Sequence, residues 1–253
     1  MTSLGKLTNE LSINGVRTLT FSHPAHNSVP GDLLITLIEA LVTAGQDQQT
    51  HSILLRTTGE HTFCAGANLD ELLAVTNTAE AKAFFMAFAN LILAMRQCPK
   101  PIIVAVQGKA IGGGIGIAAA ADYCLATEAA SIKFSELAIT IGPFVILPAL
   151  ARKIGAAATA ELTLDTEWHS ARWAQTQGLF QRLYPTPTEL YSAANELATK
   201  LCRYSPAAMA GLKQTLWAGT DHWPVLLEER AAAAGNLVFT KEARLALDAF
   251  KKR

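Results

Sequence analysis

Strand-like runs alternate with helical patterns along this chain as far as about Pro185, and that alternation restricts the fold more than any other property of the sequence. Residues 16–21 and 52–57 have the β-branched and apolar content of strands. Residues 102–106 and 123–126 are compact apolar runs, and 131–134 is a short alternating one. Between them, 31–43 places Leu33, Leu34, Leu37, Ile38 and Leu41 on one helical face. Residues 79–96 repeat apolar side chains at helical spacing, with Pro99 beyond their end. Strands alternating with helices imply an α/β core. After Pro185 the pattern changes: 188–203, 206–217, 225–238 and 241–251 all read as helices. The expected organisation is a core over 1–185 and a helical region over 186–253 that packs on a neighbour or covers a site. No low-complexity linker and no repeat of fixed period divides the chain.

Two loops of small residues stand out within the core. They are Cys64-Ala65-Gly66-Ala67-Asn68 and Gly112-Gly113-Gly114-Ile115-Gly116. Small side chains let a bound group approach the main chain closely. Two such loops can aim two backbone N–H donors at one oxygen, which is how an enzyme stabilises a developing oxyanion. If they converge, the chain is an enzyme acting on a carbonyl. The run Ile117-Ala118-Ala119-Ala120-Ala121 is a strong helix former, ended by Asp122-Tyr123. Its start presents free N–H groups and the positive end of the helix dipole to the glycines. Asn68-x-x-Glu71 before Leu72-Leu73 is close to a capping box, giving Glu71 a structural role.

A rival reading exists. Gly114-Ile115-Gly116-Ile117-Ala118-Ala119 matches the dinucleotide fingerprint G-x-G-x-x-A, and Glu136 lies roughly 20 residues on, where a ribose-binding acid is expected. In that fold the glycines follow the strand directly. Here Gln107-Gly108-Lys109-Ala110-Ile111 comes between, and the rival leaves the Ala65-Gly66-Ala67 loop unexplained. The plainer alternative is glycine chosen only for tight helix packing.

Composition removes other classes. Lys+Arg and Asp+Glu both total 21, so no global basic field attracts nucleic acid or an anionic membrane. The ending Phe250-Lys251-Lys252-Arg253 reads as a solvated charge run, with a phosphate contact as the alternative. With 253 residues, 50% of them hydrophobic, the chain can bury one large core. The cysteines Cys64, Cys98, Cys124 and Cys202 form no C-x-x-C pair and read as reduced thiols of an intracellular protein. The first residues lack a secretory pattern, and the longest apolar run, 111–121, falls short of the ~20 residues of a membrane span. The expectation is a cytoplasmic protein with no membrane partner. His23-x-x-His26 has no third ligand near it in sequence, so no metal is expected. Trp168, Trp173, Trp217 and Trp223 read as packing or interface residues.

Taken in order, these motifs resemble the crotonase (enoyl-CoA hydratase/isomerase) superfamily. Phe63-Cys64-Ala65-Gly66-Ala67-Asn68-Leu69 is similar to its aromatic–x–Ala–Gly–Ala–Asp–hydrophobic signature, with Asn68 for Asp. Residues 101–108 followed by Ala110-Ile111-Gly112-Gly113-Gly114 resemble its strand and triple-glycine run. Asp122, the segment Phe134-Ser135-Glu136 with Pro143, and Ser170-Ala171 through Gly178-Leu179 follow in the family's order. The resemblance spans about residues 10 to 250. It implies a core of repeated ββα units with a helical C-terminal region, a homotrimer or homohexamer, and a coenzyme A thioester as substrate with no separate cofactor.

Carried over by position, the resemblance assigns the oxyanion donors to Ala67 and Gly113 and the acid/base to Glu136. It implies that Ala65, Gly66, Asn68, Leu69, Gly112, His26 and Pro143 line the substrate site. Hydratases of the family resemble a two-carboxylate design whose other glutamate falls at Gly116. A single carboxylate suits proton shuttling. Hydration then needs another group, with Asp70, Glu71 and His61 the nearest in sequence. Isomerisation, decarboxylation and a catalytically silent acyl-CoA-binding homologue are the alternatives. Asp165, where a glycine is usual, also departs from the pattern.

Overall fold

The structure, a computed structural model, describes residues 5–251. The larger of its sheets has six strands in the order β1 (Lys6–Leu11), β2 (Val16–Ser22), β3 (Ser52–Thr57), β5 (Ile102–Val106), β7 (Tyr123–Thr127) and β10 (Arg182–Tyr184). The smaller has four: β4 (Thr62–Cys64), β6 (Lys109–Ile111), β8 (Ser131–Lys133) and β9 (His169–Ser170). In the larger sheet β1 is antiparallel to β2 and the remaining pairings are parallel.

The strand β5 explains the compact apolar runs. Every residue of Ile-Ile-Val-Ala-Val is buried. Ile102, Val104 and Val106 join the main core, while Ile103 and Ala105 face the helix α7 (Pro187–Leu201) with Leu190, Ala194 and Ala198. Side chains alternate between faces, so a strand covered on both needs no polar residue. Each large aliphatic side chain buried this way contributes about 1.5–3 kcal/mol. The edge strand β1, by contrast, is almost wholly exposed and carries Lys6 and Glu10, which discourages pairing with another chain.

Each of β4, β6 and β8 follows a strand of the larger sheet in sequence. The chain therefore repeats a strand–strand–helix unit. β3 and β4 lead to α2 (Leu69–Ala74) and α3 (Thr78–Gln97), and β5 and β6 to α4 (Gly113–Ala120). β7 and β8 lead to a 3-10 turn, Glu136–Ile139, and α5 (Leu147–Leu164). This is the repeated ββα core expected from the resemblance.

Two expectations change here. Residues 109–111 are not a spacer but β6, so the glycines do follow a strand directly. That strand belongs to the smaller sheet, and the unit is ββα rather than the strand–helix–strand of a dinucleotide site. Helix α4 begins at Gly113 itself, ahead of the alanine run, and all its residues are buried, as in a helix enclosed by protein on every side. The sequence reading also assigned no helix to α5, whose pattern is interrupted where Gly155 takes φ 78°.

Helix α3 is the one described helix long and apolar enough to cross a membrane by length and composition. In the fold it packs against α1 (Gly31–Gln46), α4 and α9 (Trp223–Leu237). Asp122 ties helix α8 (Pro206–Leu216) to the sheet: its carboxylate accepts from Ile102 N at 2.8 Å and Trp217 Nε1 at 3.2 Å, and pairs with the buried Lys213 ammonium at 2.7 Å. Trp217 and Trp223 are buried edge-to-face, Trp173 is half-buried, and Trp168 is exposed beside Lys109 and Lys133. Helix α10 (Lys241–Lys251) packs on the Glu136–Ile139 turn. The side chains of the basic ending, residues 250–253, lie outside the described residues.

Candidate active site

The parallel strands β4, β6 and β8 lie side by side, so the loops after them emerge together at one end of the smaller sheet. Ligand sites of α/β sheets form at the carboxyl ends of parallel strands. The loop after β4 carries residues 65–68, the loop after β6 carries the glycines, and the segment after β8 carries Glu136. The strand order sets the glycine loop between the other two.

Hydrogen bonds fix the first loop. Ala65 N donates to His26 O at 3.1 Å, and Val29 N donates to Gly66 O at 2.8 Å. In a planar trans peptide the C=O and the following N–H point in opposite directions. Val29 holds the Gly66 carbonyl, so the Ala67 N–H is turned away from Val29, and among the described residues it has no acceptor. Gly66 has φ 88°, and a Cβ placed on it would lie 3.0 Å from Ile111 O and 3.4 Å from Gly113 N. The two loops are thus in contact, and only glycine permits it.

The second loop continues the small sheet, since Gly112 N donates to Lys133 O at 3.2 Å. Gly112 then takes φ 51° and ψ −114° to enter α4. Gly113 is the first residue of that helix, so its N–H has no partner within the helix. The Phe88 ring lies where a side chain on Gly113 would be. Two orphan donors, Ala67 N–H and Gly113 N–H, therefore come from touching loops, with the α4 dipole behind one of them.

Glu136 sits against this arrangement. A Cβ on Gly112 would lie 2.6 Å from Glu136 Oε1. Glu136 Oε2 accepts from Ser135 N at 2.9 Å. Burial pushes its carboxyl up to about 7, and the backbone N–H groups of Glu136 and Ser135 only partly oppose that. A carboxyl with that pKa is divided between acid and base near neutral pH, as proton transfer in both directions requires.

A cavity of about 640 Å3 unites these groups. Ala65, Gly66, Ala67, Asn68 and Leu69 line it from the first loop, and Gly112 and Gly113 from the second. Glu136, Pro143 and His26 complete the set singled out in the sequence. The structure adds Phe84, Phe85 and Phe88 of α3, together with Ile146. Phe84 and Phe88 are four residues apart on one helical face, a signal that reads in sequence only as core. Gly116 does not reach the cavity: a Cβ there would meet Ile146 Cγ1 at 3.3 Å. Of the candidate extra carboxylates and imidazole, Asp70 lines the cavity, and Glu71 and His61 do not.

Glu71 corrects the capping-box expectation. Asn68 does cap α2, with its side chain accepting from Asp70 N at 2.9 Å. The Glu71 carboxylate instead crosses to α1, where Gly31 N donates to both oxygens at 2.9 and 3.2 Å. Burial raises its pKa, with the Gly31 N–H opposing. Asn27 was missed altogether. Its Nδ2 donates to Thr58 O at 2.9 Å and Thr62 O at 2.8 Å, and its Oδ1 accepts from His23 N at 3.1 Å. These bonds hold the turn that brings His26 to the first loop, and they keep Asn27 at φ 53°. His23 Nδ1 lies 3.0 Å from Ser28 Oγ. No metal-ligating group of His, Cys, Asp and Glu occurs among the described residues.

Comparison with known proteins bears on the family and the fold. A model of the enoyl-CoA hydratase/isomerase family matches residues 12–252. The chain is 28% identical to a short-chain-enoyl-CoA hydratase of Clostridium acetobutylicum, over 93% of this chain and 90% of that one. It is 29% identical to a peroxisomal Δ(3,5)-Δ(2,4)-dienoyl-CoA isomerase of Arabidopsis thaliana, over 78% of this chain and 76% of that one. The crystal structure of an enoyl-CoA hydratase from Mycobacterium avium superposes with a TM-score of 0.86 at 28% identity, covering 100% of this chain and 97% of that one. That of an enoyl-CoA hydratase from Bacillus halodurans shares the fold, with a TM-score of 0.89 at 22% identity over 96% and 99% of the two chains.

Proposed function

This chain belongs to the enoyl-CoA hydratase/isomerase family, and on that premise we propose that it shifts a proton along the acyl chain of a coenzyme A thioester. The Ala67 and Gly113 N–H groups hold the enolate oxygen, and Glu136 is the single acid and base. The observation that carries this reading is what faces Gly116. A two-carboxylate hydratase needs a glutamate there, and in this chain the space is filled by Ile146.

The steps balance without a co-reactant. Glu136 as carboxylate takes a proton from Cα of a 3-enoyl thioester. The electron pair moves onto the thioester oxygen, and the two N–H groups stabilise the dienolate. The resulting carboxylic acid returns the proton at Cγ, the carbonyl re-forms, and a 2-enoyl thioester leaves. Losing one such donor typically costs ~10²–10³ in rate. No cofactor is needed beyond the coenzyme A of the substrate.

The test supplies 3-enoyl-CoA and 2-enoyl-CoA separately in heavy water. The expected result is interconversion of the two, with deuterium entering at Cγ of the 2-enoyl thioester and at Cα of the 3-enoyl thioester. Rapid formation of 3-hydroxyacyl-CoA from 2-enoyl-CoA would overturn proton shuttling as the main activity. Binding with neither turnover nor exchange would mark a silent homologue. One observation favours a second reading: Asp70 lines the cavity, and in that reading it orients a water for hydration. Loss of hydration in D70N with exchange retained would establish it. The proposal also includes a homotrimer or homohexamer in the cytoplasm, which sedimentation and cell fractionation test.

A further inference from the structure

A second pocket, of about 280 Å3, opens between α1 and α3. Its wall is mostly aliphatic, with Leu34, Ile35 and Ile38 from α1 and Ala83 and Ala87 from α3. Two residues, Ala67 and Phe84, line both this pocket and the catalytic cavity. Ala67 belongs to the hydrogen-bonded first loop and is fixed. Phe84 is a half-buried side chain that meets Phe85 edge-on, with ring centroids 5.2 Å apart. Of the two shared residues, the one with a side chain that can rotate is therefore Phe84, beside the orphan donor of Ala67.

We infer that Phe84 is a gate, and that the pocket between α1 and α3 takes the distal methylenes of an acyl chain too long for the catalytic cavity alone. This rests on the proposed acyl-CoA reading of the site. A thioester carbonyl held at Ala67 and Gly113 has two arms. Around His23, Ser28, Asn68 and Asp70 the cavity is polar and suits the coenzyme A arm; toward Leu73, Phe84 and Phe85 it is apolar and suits the acyl arm. A chain directed at Phe84 meets that ring. The aliphatic walls hold water poorly, so methylenes entering behind the ring gain part of the benefit of burial, at most roughly fourfold in affinity for each. The Glu71 carboxylate also lines this pocket. A chain ending in a carboxylate would meet like charge there, so the occupant is an unsubstituted alkyl tail.

The experiment measures binding of butanoyl-, dodecanoyl- and ω-carboxydodecanoyl-CoA by calorimetry to wild type, F84A and A83F, with α-proton exchange as a second readout. Ala83 is exposed and does not line the catalytic cavity, so A83F plugs the pocket from outside without repacking the core. Opening the gate in F84A is expected to raise the affinity for dodecanoyl-CoA relative to butanoyl-CoA at least about tenfold. Plugging in A83F is expected to weaken dodecanoyl-CoA alone. The ω-carboxy chain is expected to gain little from F84A. Identical chain-length profiles in all three proteins, with butanoyl-CoA still bound and exchanged, would overturn the gate and leave the acyl-CoA reading standing. Absence of binding for every thioester in wild type would overturn both.

Discussion

Replacing Glu136 by glutamine is expected to stabilise the protein at alkaline pH while removing its activity. In the folded chain the carboxyl stands at about 7, against 4.5 for an unperturbed glutamate, because burial disfavours its charge. Below about 4.5 the group is protonated in both folded and unfolded chains and adds nothing. Between about 4.5 and 7 the unfolded chain releases this proton and the folded chain keeps it, so wild-type stability falls as pH rises through that window. At about 1.4 kcal/mol for each pH unit, the interval sets a ceiling of roughly 3 kcal/mol. Solvent reaching part of the residue trims this, to about 1–3 kcal/mol. For a chain of this size that is about 3–10 °C in Tm. Glutamine fits the same space and has no proton to lose. Thermal unfolding of both proteins at pH 4.5, 6, 7 and 8 is the assay. The Tm of E136Q minus that of wild type should grow steadily with pH and level off above about 7.5. A difference that stays constant across the range would refute the claim that Glu136 is held in a charge-averse site.

Other substitutions probe the frame around that carboxyl. Wild-type proton exchange should rise through an acidic limb near pH 7, and E136Q should lose about 10³-fold or more in exchange rate. Adding a methyl at Gly113 drives it into the Phe88 ring; G113A should cost about 1–3 kcal/mol in urea unfolding and at least ~10² in exchange rate. N27A removes the bonds to Thr58, Thr62 and His23 and leaves alanine at positive φ, so about 2–4 kcal/mol should be lost, with a raised KM for thioester. E71A takes the cap from α1 and should cost about 1 kcal/mol, whereas E71Q, which keeps an acceptor, should cost less.

The fold was legible where burial is two-sided. The apolar runs at 102–106 and 123–126 mark strands that helices cover on both faces, and their composition says so. Of the smaller sheet, β8 was legible from the alternation at 131–134; β4 and β6 were not, because they are only three residues long each and carry no period that can be counted. Its loops were readable nonetheless, since small residues in a fixed order report on main-chain approach rather than on periodicity. That is why the lining residues read from the motifs meet in one cavity although the sheet placing them went partly unseen. The Glu71 assignment failed for a related reason. A capping box is inferred from local spacing, and the carboxylate found its donor forty positions away in sequence, at Gly31. Ile146 and Phe84 were unreadable because an aliphatic or aromatic side chain is the same letter whether it fills a core or walls a cavity.

On the proposed reading, the order β4–β6–β8 places polarising main chain and reacting side chain on separate strands, and that separation shapes how such a protein can diverge. Mutation rewrites side chains one codon at a time, yet it leaves an amide N–H where it was unless it introduces proline or shifts the loop. A descendant can exchange Glu136, or gain an acid at position 116 once Ile146 shrinks, and still inherit an intact cradle for the thioester oxygen. Innovation in such a lineage is therefore cheap at the strand ends and rare at the glycines, so the history of reaction type should be written in residues 116, 136 and 146 rather than in the loops proposed to bind the carbonyl.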